Sequence, residues 1–266
     1  DPRAYVDRDT QVAVLDLDFA NEFPGAVACT RGSSGTYFDK NLVLQTAGNN
    51  VARFTHDPNT GLGLGLLAEG SATNVIKWCR DFTNAAWVKT GTMTRTQTAT
   101  GIDGTANSAT RLTATAANDT ATQTYATGAP SYVSVFARRV SGSGTVQLTS
   151  DNFAATTNMA LTTSWKRFWI VNSGASVTMG IKIVTSGDVI EVDYAQVEVG
   201  VQVTSPILTT TANVTRSADS CTYTFPTAMR PDSASGTLVA DVRFLGRQNS
   251  IVEQDYLTVT ASGFGP

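Results

Sequence analysis

The residues DVIEVDYAQVEVG at 188–200 are the feature that most restricts the fold of this chain. Polar and apolar side chains alternate through them with a period close to two, the pattern of a half-buried β-strand. The polar set is Glu191, Asp193, Gln196 and Glu198, and the apolar set is Ile190, Val192, Tyr194, Val197 and Val199. Gly200 ends the run, and Pro206 beyond it favours an extended path over a helix. We therefore predict a long strand with one face in a core and the other in water.

Similar strand-like segments precede this one at an even spacing. The segments SYVSVFARRV, GTVQLTSD, WKRFWIV and ASVTMGIKIV are rich in β-branched or aromatic residues and are set off by Gly, Ser, Asn or Thr. Such spacing is typical of a β-sandwich, and 266 residues suffice for one large core or two modest ones. We predict an all-β fold.

Three stretches carry sets of residues in an order that can be compared with known families. In residues 29–74 these are Thr30, Arg31, Ser33, Gly35, Thr36, Tyr37, Asp39, Leu44, Gln45, Thr46, Ala47, Asn50, Arg53, Phe54, His56, Asp57, Pro58, Thr60, Gly61, Gly65, Leu66, Leu67, Glu69, Gly70, Thr73 and Asn74. In residues 195–219 they are Ala195, Gln196, Glu198, Gly200, Thr204, Ser205, Ile207, Thr209, Ala212, Val214, Thr215, Arg216, Ala218 and Asp219, and in residues 73–89 they are Thr73, Asn74, Asp81, Phe82, Asn84, Ala85, Ala86, Trp87 and Lys89. The first set resembles a sequence found near the start of many virion proteins of tailed bacteriophages, and the second resembles a strand and extended segment of the same class. The third resembles the entrance to phage jelly rolls related to carbohydrate-binding modules.

The resemblance implies three parts. Residues 1–73 are expected to be an N-terminal β-rich attachment segment, and residues 74–219 a jelly-roll β-sandwich like that of carbohydrate-binding modules. Residues 220–266 resemble the start of a lectin-like β segment that is too short to be complete. These last residues could pair with the strand VAVLDLDF at 12–19, form a contact between subunits, or begin a further domain.

Four aromatic residues are candidates for carbohydrate binding. Exposed aromatic rings of sugar-binding jelly rolls stack on pyranose rings, whereas a sandwich of this size also needs large apolar residues in its core. For Trp87, Tyr125 and Tyr132 both interpretations stay open. Trp165 is a further candidate, although we expect a core position for both Trp165 and Trp169.

Carboxylates at two places are candidate metal or catalytic groups. Asp188, Glu191 and Asp193 could hold a structural calcium ion, since some of the modules that the chain resembles bind one. Asp16 and Asp18 would share a strand face, where two carboxylates can serve as acid and base or as a calcium corner. We expect the latter pair to form a solvated face.

The cysteines and the single histidine point to no catalytic or metal site. Cys29, Cys79 and Cys221 are too few and too far apart for a disulfide framework or a zinc site, so we predict reduced thiols made inside a cell. His56 lies in the turn sequence HDPNTG, so we expect it to have a turn or capping role and not to belong to a catalytic triad. The sequence contains no nucleophile elbow, P-loop, zinc-protease or dinucleotide motif.

Charge and hydropathy restrict the classes of partner that the chain could bind. The net charge of −3 and the scarcity of clustered Lys and Arg argue against nucleic-acid binding, and no apolar run is long enough for membrane insertion. The chain does not begin with Met and ends at SGFGP, which suggests a piece of a longer protein.

The resemblance then implies a non-enzymatic virion component of the fibre, spike or adhesin type, made in the host bacterial cytoplasm. Its partners would be capsid, portal or tail proteins and host cell-surface polysaccharide. A homo-oligomer is expected, with the trimer as the common form of phage fibres. Two alternatives stay open: a purely structural protein that cements or spaces subunits, and a capsule depolymerase that uses a carboxylate pair.

Overall fold

The computed structural model describes residues 3–7, 12–16, 27–126, 130–174, 176–200 and 202–223. These residues form strands and turns and contain no helix. A helix long and apolar enough to cross a bilayer is therefore also absent from them. The strands are β1 (Arg3–Asp7), β2 (Val12–Asp16), β3 (Val27–Thr30), β4 (Gly35–Phe38), β5 (Leu44–Ala47), β6 (Phe54–His56), β7 (Gly63–Leu66), β8 (Ala72–Asn74), β9 (Val88–Thr90), β10 (Thr94–Ala99), β11 (Ala109–Thr113), β12 (Asp119–Ala126), β13 (Ser131–Ser141), β14 (Val146–Thr149), β15 (Thr156–Asn158), β16 (Lys166–Asn172), β17 (Ser176–Ile183), β18 (Val189–Val199), β19 (Val214–Arg216) and β20 (Ser220–Tyr223).

Two five-stranded antiparallel sheets form a sandwich, which confirms the predicted jelly-roll class. The front sheet has the order β10-β11-β18-β13-β16, and the back sheet has the order β15-β14-β17-β12-β9. Apolar side chains from both sheets meet in one large core, in which Leu112, Val135, Leu148 and Ile181 are fully buried. Period-two alternation along each strand brings these side chains to the same side of their sheet.

The predicted long strand is β18, at the centre of the front sheet between β11 and β13. The prediction that one face is wet is wrong, because both faces are buried along nearly the whole strand. A register shift in the pairing with β13 accompanies a positive φ of 43° at Tyr194. This bulge turns the Tyr194 ring away from the sandwich core and into a second apolar cluster, with Phe38, Leu44 and Ile102.

A flanking unit, residues 27–74 and 202–223, covers the central part of the outer face of the front sheet, where β18 lies. Its strands form four antiparallel pairs, β3 with β20, β4 with β5, β6 with β7, and β8 with β19. Asn74 fastens the unit to the sandwich, because its Nδ2 donates to the backbone oxygens of Ala195 and Ile207. Gln196 receives the Ile207 N–H at 2.7 Å, so the extended segment after Gly200 lies against β18.

The turn predicted after His56 is present. The Asp57 carboxylate accepts the backbone N–H groups of Asn59 and Thr60, and Gly61 closes the turn at a φ of +72°. His56 contacts the Phe38 carbonyl oxygen through Nδ1 at 3.0 Å. The histidine therefore belongs to the packing between β6 and β4.

Five buried charged residues form the centre of the flanking unit. We call Arg31, Arg53, Glu69, Arg216 and Asp219 the ion cluster. Asp219 pairs with Arg31 at 2.8 Å and with Arg53, while Glu69 pairs with Arg53 at 2.9 Å and with Arg216 at 3.5 Å. All five belong to the stretches that resemble phage proteins. The resemblance therefore falls on residues that hold the flanking unit together.

The prediction of three reduced thiols is wrong for two of them. Cys29 on β3 and Cys221 on β20 are direct cross-strand partners and form a disulfide. Sequence spacing could not reveal this pair, because 192 positions separate the two residues. Cys79 is free and buried, and burial raises the pKa of its thiol to about 11.

The chain ends of the predicted partition are described in part. β1 and β2 pair with each other. Residues 17–19 of the predicted VAVLDLDF strand, which include Asp18 of the carboxylate pair, lie outside the described residues. Of the predicted segment 220–266, the structure describes Ser220–Tyr223, which pairs with β3, and residues 224–266 lie outside it.

Candidate carbohydrate-binding site

Trp87 is a core residue. Only 1% of its surface is exposed, its ring stacks on Phe82 at a centroid distance of 3.9 Å, and its Nε1 donates to the Trp78 carbonyl oxygen at 3.1 Å. Of the two interpretations of Trp87, the structure agrees with a core position. In this position the indole is closed off from a saccharide.

Tyr125 is also largely buried, but it borders a cavity. Its hydroxyl donates to the Ser150 carbonyl oxygen at 3.2 Å, and burial raises the pKa of the phenol. The cavity has a volume of about 320 Å³ and includes Lys77, Gln123 and Asn213 in its lining. The Tyr125 hydroxyl is therefore hydrogen-bonded inside the protein, while the residue also contributes to the wall of the cavity.

Trp165 lies at the rim of the second apolar cluster and is half-buried. The guanidinium carbon of Arg138 lies 4.6 Å from its ring centroid, which is a cation–π arrangement. Arg138 is itself paired with Glu191 at 2.7 Å. The ring is therefore occupied by a neighbour of its own chain.

Tyr132 and Trp169 lie side by side on the outer face of the front sheet, and we call this pair the aromatic platform. Their ring centroids are 6.0 Å apart with planes tilted by 42°. Trp169 is 53% exposed, and no other aromatic residue among those with described side chains is exposed. The expectation of a core position for Trp169 is wrong. β16 turns Phe168 and Ile170 inward, so Trp169 and Val171 must point outward.

Polar groups lie on the strands that carry the platform, where Ser134 pairs with Trp169 and Glu198 with Tyr132. Arg167, two residues before Trp169, donates to the Ser134 hydroxyl at 3.0 Å and to the Thr204 carbonyl oxygen. Burial lowers the pKa of Arg167 to about 10, against the opposing charges of Glu198 and Glu69. Burial likewise raises the pKa of Glu198, which accepts the Thr204 N–H at 2.9 Å.

The terminal nitrogens of Arg167 and the Glu198 carboxylate have partners, whereas two polar atoms of the platform have none among the described residues. Within the described part of the chain, neither the Trp169 indole N–H nor the Tyr132 hydroxyl has a hydrogen-bond partner. An exposed ring with a free donor at its edge matches what a pyranose presents, an apolar face bordered by hydroxyls. The platform can therefore stack on a sugar and bond to it.

The three candidate calcium ligands do not meet in one site. Asp188 pairs with Arg139 at 2.9 Å and Asp193 pairs with Arg80 at 2.8 Å. Glu191 lies between two arginines; burial alone would raise the pKa of its carboxyl, but Arg111 and Arg138 hold it below the usual range. No group of three or more potential metal ligands occurs in the described residues. Each of the three carboxylates that we expected to bind calcium is instead paired with arginine.

Comparisons with known proteins give structural likeness only. No protein-family model and no curated protein matches the chain. Among solved structures, the CBM22-1 xylan-binding domain of Paenibacillus barcinonensis Xyn10C is 14% identical with a TM-score of 0.35, over 47% of this chain and 90% of that one. The enzymatically active domain of tailspike protein 4 from bacteriophage CBA120 is 14% identical with a TM-score of 0.36, over 47% of this chain and only 21% of that one. The likeness concerns the arrangement of strands alone.

Proposed function

We propose that the chain is a non-enzymatic component of a phage virion, of the fibre, spike or adhesin type, that binds host surface glycans through the aromatic platform. The observation that carries the glycan-binding part is the exposed Trp169 ring beside Tyr132, with no partner among the described residues for the Trp169 indole N–H or the Tyr132 hydroxyl. The virion part rests on the resemblance of residues 29–74 and 195–219 to phage structural proteins. Capsid, portal or tail proteins and further copies of the chain, as in a trimer, are its proposed partners.

Binding through one platform is expected to be weak. Two rings bury little area and leave a saccharide open on its other side, so a single site reaches only about millimolar to micromolar affinity. Several copies on one particle convert the later contacts into intramolecular ones and raise the overall avidity by about 10²–10⁴. The proposed mechanism is therefore multivalent attachment.

The direct test is a glycan array probed with a multivalent form of the protein, followed by titration of the best ligand with Trp169→Ala. We expect at least about a tenfold loss of affinity, because the largest stacking surface is removed. Val88→Ala is the matched control, since Val88 is 61% exposed but lies on the back sheet. Unchanged affinity in Trp169→Ala, or no glycan bound by the multivalent form, contradicts the proposal.

The structural alternative has one observation in its favour. β16 is the edge strand of the front sheet, and it exposes Val171 next to Trp169. Unpaired edges with apolar side chains are surfaces on which subunits associate. If Trp169→Ala dissociates an oligomer in light scattering while no glycan binds, the platform is a subunit contact.

A further inference from the structure

The cavity that Tyr125 borders lies on the back sheet. Val75, Lys77, Gln123, Tyr125 and Asn213 contribute to its lining. Its volume of about 320 Å³ falls within the range of ligand pockets, about 300–1,000 Å³. Gln123 and Tyr125 belong to β12, whereas the aromatic platform lies on β13 and β16 of the other sheet. The cavity is therefore a separate place in the fold.

The backbone beneath Lys77 is fixed. The Lys77 N–H donates to the Gln123 Oε1 at 2.9 Å, and the Gln123 Nε2 donates to the Lys77 carbonyl oxygen at 2.9 Å. Gln123 is 7% exposed and joins this segment to the central part of the back sheet. These two hydrogen bonds fix the backbone from which the flexible Lys77 side chain extends. Less conformational entropy is therefore lost when a ligand binds the end of that side chain.

The Lys77 ammonium and the Asn213 side-chain amide are the charged group and the second amide of the lining. Within the described residues, the Lys77 ammonium and the Asn213 side-chain amide have no hydrogen-bond or ion-pair partner. This distinguishes Lys77 from Arg111, Arg138 and Arg139 of the front sheet, each of which pairs with a carboxylate. No acidic residue lines the cavity. The cavity thus offers one positive charge, an amide and a partly apolar wall from Val75 and Tyr125.

We propose that this cavity binds an acidic sugar residue, with the Lys77 ammonium on the ligand carboxylate and the Asn213 amide on a neighbouring hydroxyl. An ammonium paired with a carboxylate gives a charge-assisted hydrogen bond, and the wall of Val75 and Tyr125 accommodates the apolar side of a pyranose. The inference rests on the proposed glycan-binding function and adds a substrate class to it, namely polysaccharides that contain uronic acids.

The test compares matched sugars that differ only in the carboxylate. The methyl glycosides of glucuronic, galacturonic and mannuronic acid are titrated against the corresponding neutral hexosides, and amide shifts are followed by NMR. We expect at least one acid to bind about tenfold tighter than its neutral partner, with shifts around Lys77, Gln123 and Asn213. Raising the salt concentration should weaken this binding.

Variants separate this site from the platform. Lys77→Gln should abolish the preference for the acid, and Lys77→Arg should keep it. Lys182→Gln is the matched control, because the Lys182 ammonium lies 4.5 Å from the Phe153 ring, outside the cavity lining. Equal binding of acid and neutral sugar, no binding of the three acids, or an unaffected Lys77→Gln variant overturns the inference. Loss of polysaccharide binding in Trp169→Ala, together with any of those results, leaves the proposed function standing alone.

Discussion

The sandwich and the flanking unit are stabilised by opposite kinds of interior. Between the two sheets the core is apolar, with residues such as Leu112 and Ile181 fully buried. In the flanking unit the ion cluster is equally buried, with no side chain more than 7% exposed. An apolar core loses stability by degrees when atoms are removed, whereas a buried charge without its partner is strongly unfavourable. The flanking unit therefore depends on complete pairing, and the sandwich on volume.

Asp219→Ala should be the most damaging single substitution. The Asp219 carboxylate pairs with Arg31 and Arg53 and accepts the Glu69 N–H at 2.9 Å, so its removal leaves buried cations with one counter-charge. We expect the free energy of unfolding to fall by about 3–5 kcal/mol in urea titrations. Asp103→Ala is the control, since Arg80 retains Asp193, and its loss should be smaller. Equal losses would contradict the contrast between the two interiors.

Leu112→Ala tests the apolar side of the comparison. Leu112 is fully buried in the sandwich core, and its truncation should cost about 2–5 kcal/mol through lost burial and a cavity. Leu208→Ala, at a residue that is 49% exposed, should stay within about 0.5 kcal/mol. Calorimetry should show the Leu112 effect to be independent of salt; a strong salt dependence would mean that charge also matters there.

Reduction of the Cys29–Cys221 disulfide should cost about 2–4 kcal/mol, because it releases a long loop in the unfolded chain. Alkylation with mass detection checks the pairing. Cys79 is buried and the raised pKa of its thiol keeps it protonated, so the folded protein should resist labelling. Denatured protein should take one label without reductant and three with it; three labels without reductant would rule out the disulfide.

Asp119→Asn should cost about 1–3 kcal/mol at neutral pH. Burial alone would raise the pKa of Asp119, but backbone N–H groups of Ala116, Thr115 and Thr92 hold it below the usual range. An amide at this place would turn a donor towards these donors. A carboxyl with a depressed folded pKa stabilises the protein above its unfolded value of about 3.9, and this contribution is lost as pH falls through the folded pKa. The difference between the two proteins should therefore close below about pH 4, and a constant difference would contradict the assignment.

Trp169→Ala should have the smallest effect on stability, within about 0.5 kcal/mol, because its ring is more than half exposed. Thermal unfolding of the variant measures this directly. A loss of several kcal/mol would show that the platform is part of the interior and would remove it as a binding surface.

The sandwich could be predicted from the sequence because alternation and turn residues are local signals. β18 and β13 carry such alternation, and the Asp57 turn carries its own Asx chemistry. The bulge at Tyr194 and the burial of both faces of β18 could not be predicted, since they depend on what the flanking unit covers.

The candidate site was predicted less well for a similar reason. Trp87 and Trp169 are the same residue type in strand-like surroundings, and only the register of β16 exposes one of them. Alternation in KRFWIV could have indicated this, because an inward Phe168 and Ile170 leave Trp169 outside. The carboxylates of β18 gave no warning that arginines from β11, β13 and the segment before β9 would reach them.

The pairing of β3 with β20 makes Val27 and Tyr223 direct neighbours. Residues 27–223 thus begin and end on one antiparallel strand pair. The Cα atoms of Val27 and Tyr223 are only about 5 Å apart, as in any antiparallel pair. A unit whose ends lie this close can be grafted into a surface loop of an unrelated scaffold without stretching it. The chain is accordingly suited to use as a transplantable display module.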